Sequence, residues 1–501
     1  MKKIVFLPLD ERPCNADFPK MLFHVPEIRL VQPAVLGNKK QPADLEHICA
    51  FLQRECADAD GLVLSMDMLL YGGLLPSRLH HFSRDQVRER FELVGRLREN
   101  FPDLKIFAFQ TIMRCPKNSS AEEEPDYYGE YGHEIWRLGQ LRHKQQLDLP
   151  QQEQLDDVQA KIPAACLEDY LARRRFNLEF VLDALELAAA GILDVLVIPQ
   201  DDSSPYGFTA MDQQHVRDRI AQRSLQTKVL LYPGADELGC TLLTRMVLAL
   251  EGRRPYVYVA YSSEKAPFVT PLYEDRPVGE TIKYQLLAAG CRQAVCRREA
   301  DFVLAVNCPS GNMQGAYAQP CRLREYTVER SLPAFMLFMQ DCVEQGIPVT
   351  VGDIAFLNGG DLELVQMLNS QGLLMQVAGY AGWNTSSNTL GTAIAQGVHF
   401  WLWADTAAHR DFLLLRYLED AGYCSDARRY VYENMLDKLN CTYFDTRAVR
   451  GPVSEFVHAR LEMFVQQYLS SIAPYVCIQD CWHPWKRMFE MGIKACFQPA
   501  E

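Results

Sequence analysis

The 501-residue sequence contains no run of the roughly 18 uncharged apolar residues that a membrane-spanning helix needs. It has no basic excess either. The formal charge is -13, whereas a nucleic-acid partner requires a basic footprint, so the acidic balance suits a neutral or cationic ligand better. No CxxC pair occurs among the 16 cysteines, which are spread from Cys14 to Cys496. That scatter excludes a disulfide scaffold and leaves reduced, buried thiols as the expectation. The opening MKKIVFLPLDERP carries two lysines and a short apolar run, but Asp10, Glu11 and Arg12 interrupt it and no small-residue cleavage site follows. It reads as a first strand, and the expected compartment is the cytoplasm.

Several reactive motifs are missing as well. None of the 11 histidines directly follows an apolar run, and neither HExxH nor HxH occurs, so no dedicated metal site is expected. GxSxG is absent and no thiol has an evident histidine partner, which removes the usual nucleophilic hydrolases. There is no GxxxxGK[ST] and no GxGxxG after the first strand, so no nucleotide cofactor is expected.

What is present is ordinary in bulk, with 48% hydrophobic and 23% charged residues, as in soluble globular proteins. Apolar runs that look buried on both faces recur at residues 4–9, 61–66, 104–109, 193–199, 228–232, 256–260, 302–306, 348–352 and 375–379. Most are followed by a polar loop and a segment of helical period, which implies parallel βα units in an α/β fold. Nine runs exceed the eight of a closed barrel by one. The expectation is a TIM-barrel-like fold with insertions, ahead of two doubly wound α/β domains divided near residues 251–255. The organisation expected is a first α/β region over 1–250 with a helical insertion at about 115–190, a second over 251–400, and a helical region over 401–501 that serves packing. The insertion opens with an acidic, tyrosine-rich stretch, Glu122 to Tyr131, which reads as a lid or as a solvated loop. No internal repeat is evident.

In a parallel α/β fold the strand C-termini share one side, and that side carries the site. The residues just after the runs are Asp10 with Arg12, Asp67, Arg114, Asp201 with Asp202, Asp236 with Glu237, Asn307, Asp353 with Asn358, and Trp383 with Asn384. Asp and Asn also start helices by satisfying free N–H groups. Asp236 and Glu237, just before CTLLTRMVLAL, fit that plain role, and so does Asn384 before Thr385 and Ser386. Asp201 and Asp202 do not fit it. The helix MDQQHVRDRI has its own expected cap in Thr209, with Asp212 three residues on. Trp383 reads equally as a stacking platform or a core residue.

Carboxylates ringed around a pocket with arginines and aromatics suit polyhydroxylated substrates. The first expectation is therefore a carbohydrate-active hydrolase taking a small-molecule or oligosaccharide substrate. Asp201 and Asp202 are its catalytic candidates, and Asp10, Arg12, Asp67, Arg114, Asp236, Glu237, Asp353, Asn358, Trp383 and Asn384 its substrate-binding ones. Two rivals use the same residues: a metal-dependent enzyme with Asp10, Asp67 and Asp353 around Mg²⁺ or Ca²⁺, and a non-catalytic sugar-binding protein.

Adjacent Asp-Asp after a strand resembles the catalytic pair of substrate-assisted enzymes that remove N-acetylglucosamine. By that resemblance Asp201 would orient the acetamide and Asp202 would be the general acid/base. Across nearly the whole chain, FLPLDERPCN, SMDMLLYGGLLPSR, PQDDSSPYGF and GYAGWNTSSNTLGTAIAQG resemble the signature stretches of a bacterial family, domain of unknown function 4127. That resemblance implies a soluble bacterial protein and carries no activity with it.

Overall fold

Runs such as VLVIPQ and FVLAVN are buried along their whole length, as expected of strands covered on both faces of a parallel sheet. The structure, a computed structural model, describes residues 1–151, 154–201 and 203–498. It divides into two units. The first comprises Met1–Glu11, Glu27–Ala235 and Tyr273–Asp275, and the second Arg12–Pro26, Asp236–Leu272 and the chain from Arg276 onward.

The first unit holds a six-stranded parallel sheet of β1 (Lys2–Leu7), β2 (Ile28–Val31), β3 (Gly61–Ser65), β4 (Lys105–Phe109), β5 (Val195–Gln200) and β6 (Val229–Pro233), in the order β2-β1-β3-β4-β5-β6. The second holds β7 (Tyr256–Tyr261), β8 (Arg292–Gln293), β9 (Phe302–Asn307), β11 (Val349–Asp353) and β13 (Gly379–Ala381), in the order β13-β11-β9-β7-β8, with β10 (Gln314–Gly315) and β12 (Phe356–Leu357) paired beside it. Numbered within its own sheet, each unit runs 2-1-3-4-5, and the first adds a sixth strand. Eight of the nine expected runs form strands where expected, and the ninth is displaced: residues 375–378 are turn, and the strand is Gly379–Ala381. The strands form two open sheets instead of one barrel, the arrangement weighed second from the sequence.

The division falls at Ala235–Asp236, ahead of the expected residues 251–255, because helix Leu238–Glu251 packs on helix Ser386–Trp403 of the second unit. Helices Tyr128–Gln146, Leu155–Gln159 and Ala164–Ala189 fill the expected insertion and enclose a small core of Ile135, Leu138, Leu141, Tyr128 and Tyr170. The C-terminal region is not wholly helical. After helices Ala407–Arg416, Arg428–Asn434 and Pro452–Tyr468 it ends in an antiparallel hairpin, β14 (Val476–Trp482) with β15 (Gly492–Phe497). Between the first two helices, Tyr417–Ala427 winds as a π-helix, a rare conformation concentrated at functional sites. All sixteen cysteines are free. No helix among the described residues is long and apolar enough to cross a membrane.

Proline shapes one sheet end. Pro199 has no N–H to give, and the β4–β5 ladder stops at Phe109–Val197 before resuming as a single bridge, Ile112–Gln200. The strand ends splay there. Helix Phe208–Gln222 begins earlier than MDQQHVRDRI suggests, with Gly207 at its N-cap. Thr209 is thus inside the first turn, where its hydroxyl donates to the Met113 carbonyl at 3.3 Å. Asp212 is not a capping partner and pairs with Arg174 instead.

Helix Ser386–Trp403 approaches its neighbours closely because Gly391 has no side chain. A Cβ there would lie 2.4 Å from Glu237 Cγ, and Glu237 cannot yield, being held by Gln285 (2.7 Å) and Asn388 (2.8 Å). Gly95, in helix Arg84–Asn100, has nothing within 4 Å. Opposite signs follow in denaturant unfolding. Gly391→Ala should destabilise the chain by about 1–3 kcal/mol through overpacking. Gly95→Ala should stabilise it by up to about 1 kcal/mol through helix propensity.

Candidate functional site

The expected site residues divide between the units, and each set is described within its own. In the first, Asp67 follows β3 in the first turn of helix Met66–Tyr71, which Ser65 caps by accepting from Met68 N–H at 3.1 Å. Its carboxylate accepts from the Thr111 N–H and hydroxyl, both at 2.9 Å, which ties the end of β3 to the end of β4. Burial pushes the Asp67 carboxyl up to about 6 against the hydrogen bonds from Thr111. Asp10 is buried at the end of β1.

Arg114 and Asp201 meet in one ion network. Arg78, itself 2% exposed, donates to Asp201 at 2.6 Å and to Glu124 at 3.2 Å, while Arg114 donates to Glu123 at 2.7 Å and Glu124 at 2.8 Å. The acidic stretch expected as a lid or loop therefore docks on arginines at the strand ends. Asp202 lies outside the described residues. A broad groove of about 520 Å³ nearby is lined by Lys40, Tyr127, Cys166, Asp169 and Arg173. Its polar groups are turned on one another: Asp169 accepts from Arg173 at 2.8 Å and from Tyr127 at 2.6 Å.

In the second unit, five of the residues singled out from strand ends line one cleft: Arg12, Asp236, Asn358, Trp383 and Asn384. Arg12 grips Asp236 with both terminal nitrogens, at 2.6 and 3.2 Å, and Asn15 and Asn384 donate to the same carboxylate at 3.0 and 3.3 Å. Asp236 does not cap the helix that follows it. Glu237 makes no capping bond either and is buried with Gln285 and Asn388. Thr385 holds the N-cap position of helix Ser386–Trp403, its hydroxyl donating to Asn388 at 2.7 Å, and this leaves Asn384 free to turn toward Asp236.

Asn358 and Asn384 both have positive φ, 60° and 47°, and the Asn358 N–H donates to the Asn384 carbonyl at 2.9 Å. Asn tolerates this left-handed region better than most residues, and such conformations cluster at functional sites. Of its two expected readings, Trp383 has the contacts of a core residue. It packs edge-on against Phe18 at 5.8 Å and donates to Thr392 at 3.3 Å, yet still lines the cleft.

Asp353 does not join them. It is fully buried, bonded to Asn307 at 2.9 Å, Tyr380 at 2.9 Å and the Asp361 N–H at 2.7 Å. Arg330 closes the network on Asp361 at 2.6 Å. Burial and the neighbouring Asp361 hold the Asp353 carboxyl up at about 6. Among the described residues, no three His, Cys, Asp or Glu converge to hold a metal ion.

The rest of the cleft comes from the C-terminal region, which sequence reasoning assigned to packing: Glu419, Cys424 and Arg428 from the π-helix and the helix after it, and Phe489, Glu490 and Met491 from the β14–β15 connection. Arg416 donates to Glu419 and, at 2.9 Å, to Asp420. Burial pushes the Glu419 carboxyl up, Arg416 opposes that, and Glu490 adds to it by repulsion. Asp420 is held up at about 7 by burial despite Arg416. Glu490 accepts from Arg487 with both of its oxygens, and Arg12 lies 3.7 Å away. Trp485 sits between the Arg12 and Arg487 guanidiniums, 4.9 and 4.7 Å from its ring centre. Burial also pushes the Cys424 thiol up to about 12, which makes it a poor nucleophile. The cleft encloses about 30 Å³, room for about one water molecule.

With this geometry in hand, a family model described as "Protein of unknown function (DUF4127)" matches residues 4–494. The chain belongs to this family. The match runs from within β1 to within β15, so one family model covers the strand-end residues and the cleft residues supplied from beyond them. No curated protein matches the chain.

Asp67 offers a test of the first unit. A carboxyl raised from 3.8 to about 6 by folding contributes stability that is fully present below about pH 4 and lost as pH rises through about 6, an effect of about 3 kcal/mol. Asp67→Asn cannot titrate. The unfolding free energy of the native chain relative to this variant should therefore fall by about that amount between pH 4 and pH 7.5.

Proposed function

We propose that the chain is a hydrolase of small polyhydroxylated, carbohydrate-like substrates, working at the cleft of the second unit with Glu419 as general acid and Glu490 as general base. The observation that carries this reading is two carboxyl groups lining one cleft in unlike environments: Glu419 is pushed toward its protonated form by burial, against Arg416, with Glu490 adding repulsion, while Glu490 is gripped through both oxygens by Arg487. Pairs whose surroundings drive their acidities apart divide into acid and base. Glu419 would protonate the leaving oxygen while Glu490 takes a proton from the attacking water, and both return to their starting states when the protons exchange with solvent.

The Trp383 edge and the Asn358 and Asn384 amides suit ring faces and hydroxyls, while Phe489 and Met491 from the hairpin connection would move aside to admit a ring. The Asp201–Asp202 pair is supported less well, since Asp201 already accepts from Arg78 at 2.6 Å. N-acetylhexosamine glycosides remain the first substrates to try. Sixteen free cysteines support a reducing compartment, the cytoplasm.

On a substrate with a poor leaving group, Glu419→Gln should lower turnover by about a hundredfold, with a much smaller loss on an activated aryl substrate. The kcat/KM of the native chain should fall as pH rises through the raised Glu419 pKa, because the protonated form is the active one. Glu490→Gln removes the repulsion, so the residual activity of that variant should fall away at a lower pH. Equal losses on both substrates for Glu419→Gln would reject the acid role.

A further inference from the structure

We propose that Arg428 and the Asn358 carboxamide form a subsite in this cleft for an oxyanion of the substrate, a carboxylate or a phosphate. This deepens the preceding reading by giving its substrate a negative charge, and it rests on that reading only for the word substrate.

Among the described residues Arg428 is the cleft arginine with no carboxylate within ion-pair distance; Glu490 and Glu419 act on it only from farther off. Arg12 has Asp236 at 2.6 Å, whereas the Arg428 guanidinium bonds only to backbone carbonyls: Asn358 at 2.6 Å, Phe489 at 3.1 Å and Cys424 at 3.2 Å. Those three bonds occupy both Nη2 hydrogens and one on Nη1. The Nε–H and the second Nη1–H have no acceptor among the described residues. The carbonyls hold the group rigidly and leave its charge intact. Tyr423 and Phe489, with ring centres 5.8 and 5.9 Å away, flank it. A fixed, partly desolvated guanidinium with spare N–H groups is the usual recognition element for carboxylate and phosphate.

Asn358 is a second, independent pointer. Its backbone is locked by two bonds, the carbonyl to Arg428 and the N–H to the Asn384 carbonyl. Its left-handed φ of 60° aims a side chain into the cleft that bonds to nothing among the described residues. An amide NH₂ beside a guanidinium completes a donor pair for one anion. The overall charge of -13 opposes anion binding only weakly, because solvent screens distant charges within about 10 Å. An anion bound there would also disfavour ionisation of Glu419 and so keep the proposed acid protonated.

The test is calorimetric titration of the full chain with D-glucose, D-glucuronate, D-glucose 6-phosphate and inorganic phosphate. At least one anion should bind about tenfold more tightly than glucose, the effect of one charge-assisted hydrogen bond, and the two sugar acids show whether carboxylate or phosphate is preferred. Arg428→Gln should abolish the preference for the anion over glucose. Because Arg428 also braces three carbonyls, Asn358→Asp provides a second variant, near in shape and tolerant of the same φ, whose carboxylate should repel the anion by a similar factor. Equal binding of glucose and the anions, no binding of any anion, or anion affinity that survives both substitutions would overturn the subsite. The titration needs no turnover, so a failed hydrolase assay of the native chain counts against the preceding reading and leaves this one standing.

Discussion

A guanidinium with no access to water must be neutralised where it lies, and in the second unit that constraint falls on Arg416. It is fully buried, stacked over the Phe18 ring at 3.8 Å, and donates to Glu419 and Asp420. Stranding such a charge by removing its partners costs about 3–5 kcal/mol. Both partners lie in the opening turn of the π-helix, whose wider winding follows directly on Arg416. Asp420 passes the constraint on, accepting from the Gly382 N–H at 2.8 Å just past β13, while its own carbonyl accepts from the Gly360 N–H at 2.8 Å. The segments bearing Asn358, Trp383 and Asn384 are thereby tied to the helix that bears Glu419, Cys424 and Arg428. The cleft is a by-product of burying one charge.

The strands were legible because a strand covered on both faces needs only an unbroken apolar run, a local property of the sequence. The pairing order was not. Nothing in residues 256–260 says that they will lie beside 302–306 and not beside 228–232, so one closed barrel and two open sheets read alike. Short edge strands such as Ile28–Val31 and the terminal hairpin, with its half-polar β14, lack the buried run and went unseen.

The site was half legible for a similar reason. Arg12 and Asp236 follow strands of the first sheet and Asn358, Trp383 and Asn384 strands of the second, so the strand-end rule named these residues but, holding within one sheet, did not foretell that they meet. Glu419, Arg428 and Glu490 belong to segments with helical or turn character, where a charged residue usually means a solvated face. The signal available was a density of buried polar groups, RYLEDAGYCSDARR, in a stretch whose apolar period does not fit 3.6. Asp353 and Glu237 satisfied the same strand-end rule and proved to be interior struts, because the rule gives an address and says nothing of which way a side chain turns.

Neither unit is an unbroken piece of chain. Residues Arg12–Pro26 leave β1 of the first sheet to supply Arg12, Asn15 and Phe18 to the second unit, and Tyr273–Asp275 return the other way, the Tyr273 carbonyl accepting from the Ser203 N–H at 3.1 Å. No single cut separates the halves. A gene fragment ending near Ala235 would strand the Arg12 guanidinium without Asp236, and the complementary fragment would lack the ring that covers Arg416. During synthesis Arg12 and Phe18 must therefore wait until residues 236 and 416 have emerged before they meet the groups that cover them.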